Sequence, residues 1–232
     1  MKVVTHDLEF YTDRLRKKLP FAFARYGNGE WGGIFGTAKR TGTGSQDLTD
    51  PKLRKCLQLS ITEHYEEERY FLALQSLPYL KRCGLLAGIE EWTSTNVPGC
   101  EWHNGELFPR ASKNGILAPF VKELRNHRVV VVGPPHLRKL PFYDHFIEVP
   151  RIDGFSAYDQ TLKNVRNNCK DVVILFSAGP MAKCLIHRTW SAANRYSYLI
   201  DTGSLWDPYC GVRQRGYHKH ITPELIKKNL GK

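Results

Sequence analysis

No run of about 18 apolar residues occurs in this sequence, so nothing in it reads as a membrane span. Met1 to Leu8 lacks the apolar core of a secretory leader, and the expected compartment is the cytoplasm. No two of the six cysteines form a Cys-x-x-Cys pair, and their spacings fit no zinc module. Cys56, Cys83, Cys100, Cys169, Cys184 and Cys210 therefore read as reduced, structural thiols, with Cys169 and Cys184 in buried contexts. Internal repeats and low-complexity stretches are absent. So are the Gly-Lys-Ser/Thr ending of a Walker loop, a Gly-x-Ser-x-Gly elbow, and a Gly-x-Gly-x-x-Gly turn after a strand. These gaps argue against a P-loop enzyme, a serine hydrolase and a dinucleotide-dependent oxidoreductase or methyltransferase.

What is present is a chain of 232 residues, 41% hydrophobic, long enough for one domain over 1–232 with a real core. Its formal charge is +11 and its pI near 9.4. That balance favours anionic partners: nucleic acid, an anionic membrane surface or a phosphorylated small ligand.

Short apolar runs alternate with longer amphipathic ones. Strands are expected at Phe21–Tyr26, Tyr70–Leu74, Gly84–Ile89, Arg128–Val132, Phe146–Val149, Asp171–Phe176 and Tyr198–Ile200. Helical spacing covers Pro51–Arg69, Ile116–Asn126, Ser156–Asn168 with Ser156 as cap, a stretch after Pro180 through about Ala192, and Thr222–Asn229 with Thr222 as cap and Pro223 at the first position. Phe35–Asp50 and Glu90–Gly115 read as irregular. Continuous apolar strands separated by helices predict an α/β fold, a mostly parallel sheet with helices on both faces. Ligands in such sheets bind beyond the carboxyl ends of the strands. The polar clusters Arg25–Glu30, Gly133–His136, Ser177–Pro180 and Asp201–Asp207 fall at those ends.

The first cluster is the most informative. An apolar strand runs into Arg25-Tyr26-Gly27-Asn28-Gly29-Glu30. Arg25 offers a planar fork for phosphate or carboxylate, the glycines permit close backbone approach, and Glu30 offers a hard oxygen. This set suits half of a nucleotide-sugar site; the alternative is a β-turn with a surface salt bridge. Ser177-Ala178-Gly179-Pro180-Met181-Ala182-Lys183 links a buried strand to a helix whose first turn can hold phosphate. Asp201 ends a strand, and Glu30, Asp201 and Asp207 are candidates to surround one Mg or Mn ion. The basic run Arg213-Gln214-Arg215-Gly216-Tyr217-His218-Lys219-His220 suits a phosphate backbone or diphosphate, or else is a solvated tail. Of the nine histidines, His103 and His218 stand in suggestive company.

These segments resemble the GT-D type glycosyltransferases, small Rossmann-like α/β enzymes. The resemblance rests on Arg25–Glu30, Ser177–Lys183 and Ile200-Asp201-Thr202-Gly203, with Asn104–Arg110 a looser match to an internal Gly-x-x-Phe-x-x-Arg element. It implies a nucleoside-diphosphate-sugar donor and a divalent metal (Mn or Mg) held by Glu30 and Asn28. Asn28 stands where the family has Asp, which weakens metal binding. By the same resemblance Arg25, Gly27, Asn28, Gly29, Ser177, Gly179 and Lys183 address the donor, and Glu30 and Asp201 are the catalytic carboxylates. The basic charge makes an anionic acceptor the expectation. The reading is DNA bearing 5-hydroxymethylcytosine, as in phage genome hypermodification in a host cytoplasm, with Lys39, Arg40, Arg110, Arg213, Arg215 and Lys219 on its phosphates. The alternatives are a bacterial glycan or glycoprotein acceptor, and a non-catalytic nucleotide- or nucleic-acid-binding module.

Overall fold

A computed structural model describes residues 1–38, 47–192 and 196–232, with 191 and 192 as backbone only. Lys39 and Arg40 lie outside the described residues. In chain order the elements are β1 (Lys2–Val4), α1 (Leu8–Arg16), β2 (Ala22–Tyr26), α2 (Asn28–Phe35), α3 (Pro51–Thr62), β3 (Tyr70–Leu74), α4 (Leu77–Arg82), α5 (Leu86–Asn96), β4 (Glu101–Asn104), α6 (Leu107–Lys113), α7 (Ala118–Leu124), β5 (Val129–Gly133), β6 (His145–Glu148), α8 (Tyr158–Asn167), β7 (Val173–Phe176), α9 (Met181–Ala192), β8 (Tyr198–Asp201) and α10 (Pro223–Asn229).

The eight strands form one sheet in the order β1-β4-β3-β2-β8-β7-β5-β6. Every pairing in it is parallel. The period-two alternation of the strands divides the core in two. Ala22, Ala24, Tyr26, Leu72, Val130, Val132 and Ile174 face a layer built from α2, α3, α5, α8 and α9. Phe21, Phe23, Phe71, Val129, Val131, Leu175 and Ile200 face a second layer with α1, α6, α7 and the segment after β8. Connections through the first layer all step from β6 toward β1, and those through the second step the other way. That is what right-handed crossovers require of a parallel sheet. The chain leaves β2 into the first layer and leaves β8 into the second, so a crevice opens between the carboxyl ends of these neighbours.

Local chemistry explains most boundaries. Asp50 caps α3 by accepting from the Lys52 and Leu53 N–H groups at 2.7 and 3.4 Å, with Pro51 in the first turn. Thr222 caps α10 as expected, accepting from Leu225 N–H at 3.3 Å. Three boundaries differ from the sequence reading. The segment Gly84–Ile89 is not a strand: Gly84, at φ +70°, ends α4, and Leu86 starts α5. Leu85, Leu86, Ile89 and Trp92 repeat at helical spacing, and all four pack into the first layer. Pro51–Arg69 stops being helical at Thr62, because His64 and Glu67 bond to each other at 2.8 Å and turn the chain into β3. Ser156 does not cap α8; its hydroxyl donates to the Asp153 carbonyl at 2.7 Å within a 3-10 turn ahead of the helix. The stretch Glu90–Gly115 is also more regular than its sequence suggests, holding most of α5 together with β4 and α6.

Candidate active site

The crevice between β2 and β8 gathers charge that a core normally excludes. β2 ends at Tyr26, and α2 begins one residue after Gly27. Gly27 has no side chain to cap that helix, so Glu30 does it: its Oε2 accepts from the Gly27 N–H at 2.9 Å. The Asn28 N–H donates to Gln75 Oε1 at 3.0 Å, tying α2 to the end of β3. A Cβ on Gly27 would sit 2.9 Å from that Gln75 oxygen, so only glycine fits here without movement.

The other oxygen of Glu30 faces Lys183. The lysine rises from the first turn of α9, after the left-handed turn at Gly179 (φ +59°). Its Nζ lies 2.6 Å from Glu30 Oε1, 2.8 Å from Asp201 Oδ2 and 3.3 Å from the Gly179 carbonyl. Asp201 Oδ1 accepts from the Gly203 N–H at 3.0 Å. The three side chains are 3%, 12% and 1% exposed for Lys183, Glu30 and Asp201. Burial opposes ionisation of Glu30, yet the ammonium beside it holds its carboxyl below the usual range. Burial likewise opposes the Lys183 charge, but Asp201 and Glu30 raise it above the usual lysine range. Both groups stay charged because they are paired.

Arg25 stands on the opposite side of β2. Its Nε donates to the Gly105 carbonyl at 2.7 Å and its Nη2 to Glu106 Oε1 at 3.2 Å. Burial works against its charge, but Glu106, Asp201 and Glu30 together raise its pKa. Gly105 lets the end of β4 press against the end of β3: a Cβ there would lie 2.7 Å from the Leu74 carbonyl oxygen.

A divalent ion is the group this arrangement fits worst. Both Glu30 oxygens and both Asp201 oxygens already face donors of the chain itself. Asp207, the third carboxylate of the expected set, turns away and pairs with His136 Nε2 at 2.9 Å. Among the described residues no group of three His, Cys, Asp or Glu side chains is placed to hold a metal. The ammonium of Lys183 occupies the place between two carboxylates that a metal would take.

The remaining predicted residues are distributed as follows. The Ser177 hydroxyl lies 3.1 Å from the Thr202 hydroxyl, joining the ends of β7 and β8. Gly29 is in the first turn of α2. Arg110 lines a cleft of about 460 Å³ with Ser76, Glu106, Lys113 and Tyr217, next to Arg25. Arg213, Arg215 and Lys219 are all exposed, and Arg213 also donates back to the His218 carbonyl. His103 is a core residue, accepting or donating to the Tyr11 hydroxyl at 2.7 Å. His218 is buried and latches its own segment, bonding to the Ser204 carbonyl at 3.0 Å.

Sequence reasoning passed over Gln75 and the pairing of His136 with Asp207, and had Gly105 only as part of the loose Asn104–Arg110 match. Gln75 follows the strand Tyr70–Leu74 directly, a position that marks it for the same edge. Tyr217 came only as the aromatic of the basic run. Its hydroxyl lies 3.2 Å from the Ser204 hydroxyl, and burial pushes its pKa up to about 12.

No family model and no curated protein sequence matches the chain. Solved structures do. The chain superposes on a domain of unknown function, 1792, described as having a distinct glycosyltransferase fold, with a TM-score of 0.65 and 17% identity over 90% of this chain and 80% of that one. A selenomethionine-substituted structure of domain of unknown function 1792 gives the same values. A protein from Streptococcus sanguinis, described as a new glycosyltransferase (DUF1792), matches with a TM-score of 0.67 and 18% identity over 99% of this chain and 94% of that one. The chain therefore has this glycosyltransferase fold. Among the described residues no helix is long and apolar enough to cross a membrane.

Proposed function

We propose that the chain transfers a glycosyl group from a nucleoside-diphosphate sugar to a hydroxyl of an anionic acceptor. The observation that carries this is the convergence of Arg25, Glu30, Lys183 and Asp201 on the crevice between β2 and β8. The departing diphosphate gains charge as the glycosidic bond breaks, and preorganised cations and helix N-termini stabilise it. Arg25, fixed through Nε and Nη2 by Gly105 and Glu106, brings its charge and its Nη1 to this, and the first turn of α9 adds peptide N–H groups. All three Lys183 contacts are internal, so its part is to hold Glu30 and Asp201 ionised and in place. Of the two carboxylates Glu30 is the more exposed, and in this reading it takes the proton of the acceptor hydroxyl. A base with a lowered pKa remains ionised into the acid range. Transfer should be flat with pH above the usual carboxylate range and fall only below it.

The acceptor we favour is DNA carrying 5-hydroxymethylcytosine. The support is the +11 charge together with exposed Arg110 and Lys113 in the cleft beside Arg25, and exposed Arg215 and Lys219 on either side of Tyr217, which also lines it. The test is incubation of such DNA with the protein and a panel of UDP-sugars, with and without Mn or Mg, followed by mass spectrometry of the nucleosides. The expected result is a sugar-sized mass gain on the modified base alone, weakening with salt and lost in Glu30→Gln. Donor binding without gain on DNA moves the acceptor to a glycan or protein. Failure to bind any donor overturns the reading.

A further inference from the structure

The cleft beside Arg25 has walls of different origin. Arg110 and Lys113 reach it from α6, whereas Tyr217 reaches it from the segment that follows β8. Tyr217 lies in a 3-10 turn, Gly216–His220, that packs on α6. Its place is set by the next residue. His218 is fully buried, and its Nε2 bonds to the Ser204 carbonyl at 3.0 Å, so Nε2 carries the proton. Nδ1 is then bare, and it accepts from the N–H groups of Gln214 and Arg215 at 3.2 and 3.3 Å. One neutral tautomer satisfies all three contacts. They join the turn to Ser204, three residues after Asp201, whose hydroxyl meets the Tyr217 hydroxyl at 3.2 Å.

The imidazolium cannot keep these contacts. A proton on Nδ1 would face two N–H donors, and both bonds would be lost. The surrounding charges do not favour that form enough to offset this. Burial first, with Arg215 and Arg213, holds the imidazole below its ordinary range, against Asp207 and the Ser204 carbonyl. Asp207 is already engaged by His136. The Tyr217 ring meets the imidazole edge-on, with centroids 4.4 Å apart.

We propose that His218 is the positioning residue of the acceptor cleft: neutral, it staples the Tyr217 wall to the end of β8, and protonation releases that wall. This rests on the reading of the cleft as the place of the acceptor. Below about pH 6.5, where free imidazole titrates, the open segment takes up a proton that the closed one refuses. Opening should then grow about tenfold per pH unit. The donor groups Arg25, Glu30 and Asp201 are held by other contacts, so the effect falls on acceptor KM. At saturating acceptor, transfer keeps the flat profile that ionised Glu30 gives it.

The test is amide hydrogen exchange of the full chain between pH 7.5 and 5, each rate taken relative to its intrinsic value at that pH, beside acceptor KM for DNA carrying 5-hydroxymethylcytosine. In the wild type, Gln214 and Arg215 should lose protection about tenfold per pH unit below about 6.5, and acceptor KM should rise over the same range with kcat unchanged. His218→Gln supplies one acceptor and one donor without titrating here, and should hold both quantities level. Constant protection of Gln214 and Arg215 in the wild type overturns the proposal, whatever the variant does. So does an equal loss in His218→Gln, or a level acceptor KM while the segment opens. Opening of the segment in a protein that transfers to no acceptor establishes the staple and overturns the functional reading instead.

Discussion

Helix α9 carries two buried polar clusters that treat charge in opposite ways. Near its start, Lys183 bridges Glu30 and Asp201 and stays charged. Toward its end, His187 Nδ1 lies 2.9 Å from His64 Nε2, His64 Nδ1 lies 2.8 Å from Glu67 Oε1, and the Trp190 indole N–H donates to Glu67 Oε2 at 2.8 Å. There burial, then His64 and Arg188, push the His187 pKa down to about 4. Lys183 and His187 sit about 6 Å apart along one helix axis. Lys183 has two carboxylates within 3 Å. His187 has one at 3.5 Å, Glu63, half in solvent, and two cationic or imidazole neighbours. A buried charge survives where the fold supplies fixed opposite charges, and is shed where it does not.

Breaking the charged cluster should have the largest effect. Lys183→Met leaves Glu30 and Asp201 facing each other without a cation. Stability should fall by about 3–5 kcal/mol, seen as a lower urea midpoint at unchanged slope. Adding Glu30→Gln to that variant should recover part of the loss, because one stranded charge disappears.

The His187 cluster offers the next test. The folded pKa of His187 lies below its unfolded value of about 6.5. The unfolded chain therefore binds the extra proton first, and stability falls as pH drops from about 6.5 to about 4. The slope is about 1.4 kcal/mol per pH unit while it lasts, about 3 kcal/mol in all. His103, also pushed down to about 4 by burial, titrates in the same window, so the His187 share is the difference between the wild-type and His187→Gln curves. Glu30 runs differently: its lowered pKa contributes stability above the usual carboxylate range and loses it only at still lower pH.

Arg25→Lys sharpens the comparison from the other side. It keeps a charge near the crevice but removes the fork that spans the Gly105 carbonyl and Glu106. Donor kcat/KM should drop about 100-fold, with the fold retained. The smallest effect expected is from Gly105→Ala. Its Cβ would press on the Leu74 carbonyl at 2.7 Å, and relief must move the carbonyl that holds Arg25. A cost of about 1–3 kcal/mol in a thermal melt is expected.

The strands were legible because their apolar runs are continuous and end in Gly, Pro or Asp. β3, read as Tyr70–Leu74, is where the structure has it. β1 and β4, three and four residues long, offer no such run and were passed over. Gly84–Ile89 misled because its four apolar side chains, set among two glycines, are too few to establish a period. The helical spacing emerges only when Trp92 is included. At the site, local motifs pointed to Arg25, Glu30, Lys183 and Asp201. Their partnerships were not legible. Lys183 meets Glu30 across 153 positions and Arg25 meets Gly105 across 80. Such pairings are set by strand order, which neither composition nor spacing encodes. For the same reason Asp207 looked like a third metal ligand until the fold carried it to His136.

Whether the Lys183 ammonium is the resident cation of the Glu30–Asp201 pair is best settled by melting the wild-type protein in increasing Mn²⁺, beside Lys183→Met. The wild type should show no concentration-dependent rise in Tm, because its carboxylate oxygens are already engaged, while Lys183→Met should gain stability as the ion takes the vacated place. A saturable rise in the wild-type Tm would contradict this, and would mean that a metal displaces the lysine from its two carboxylates.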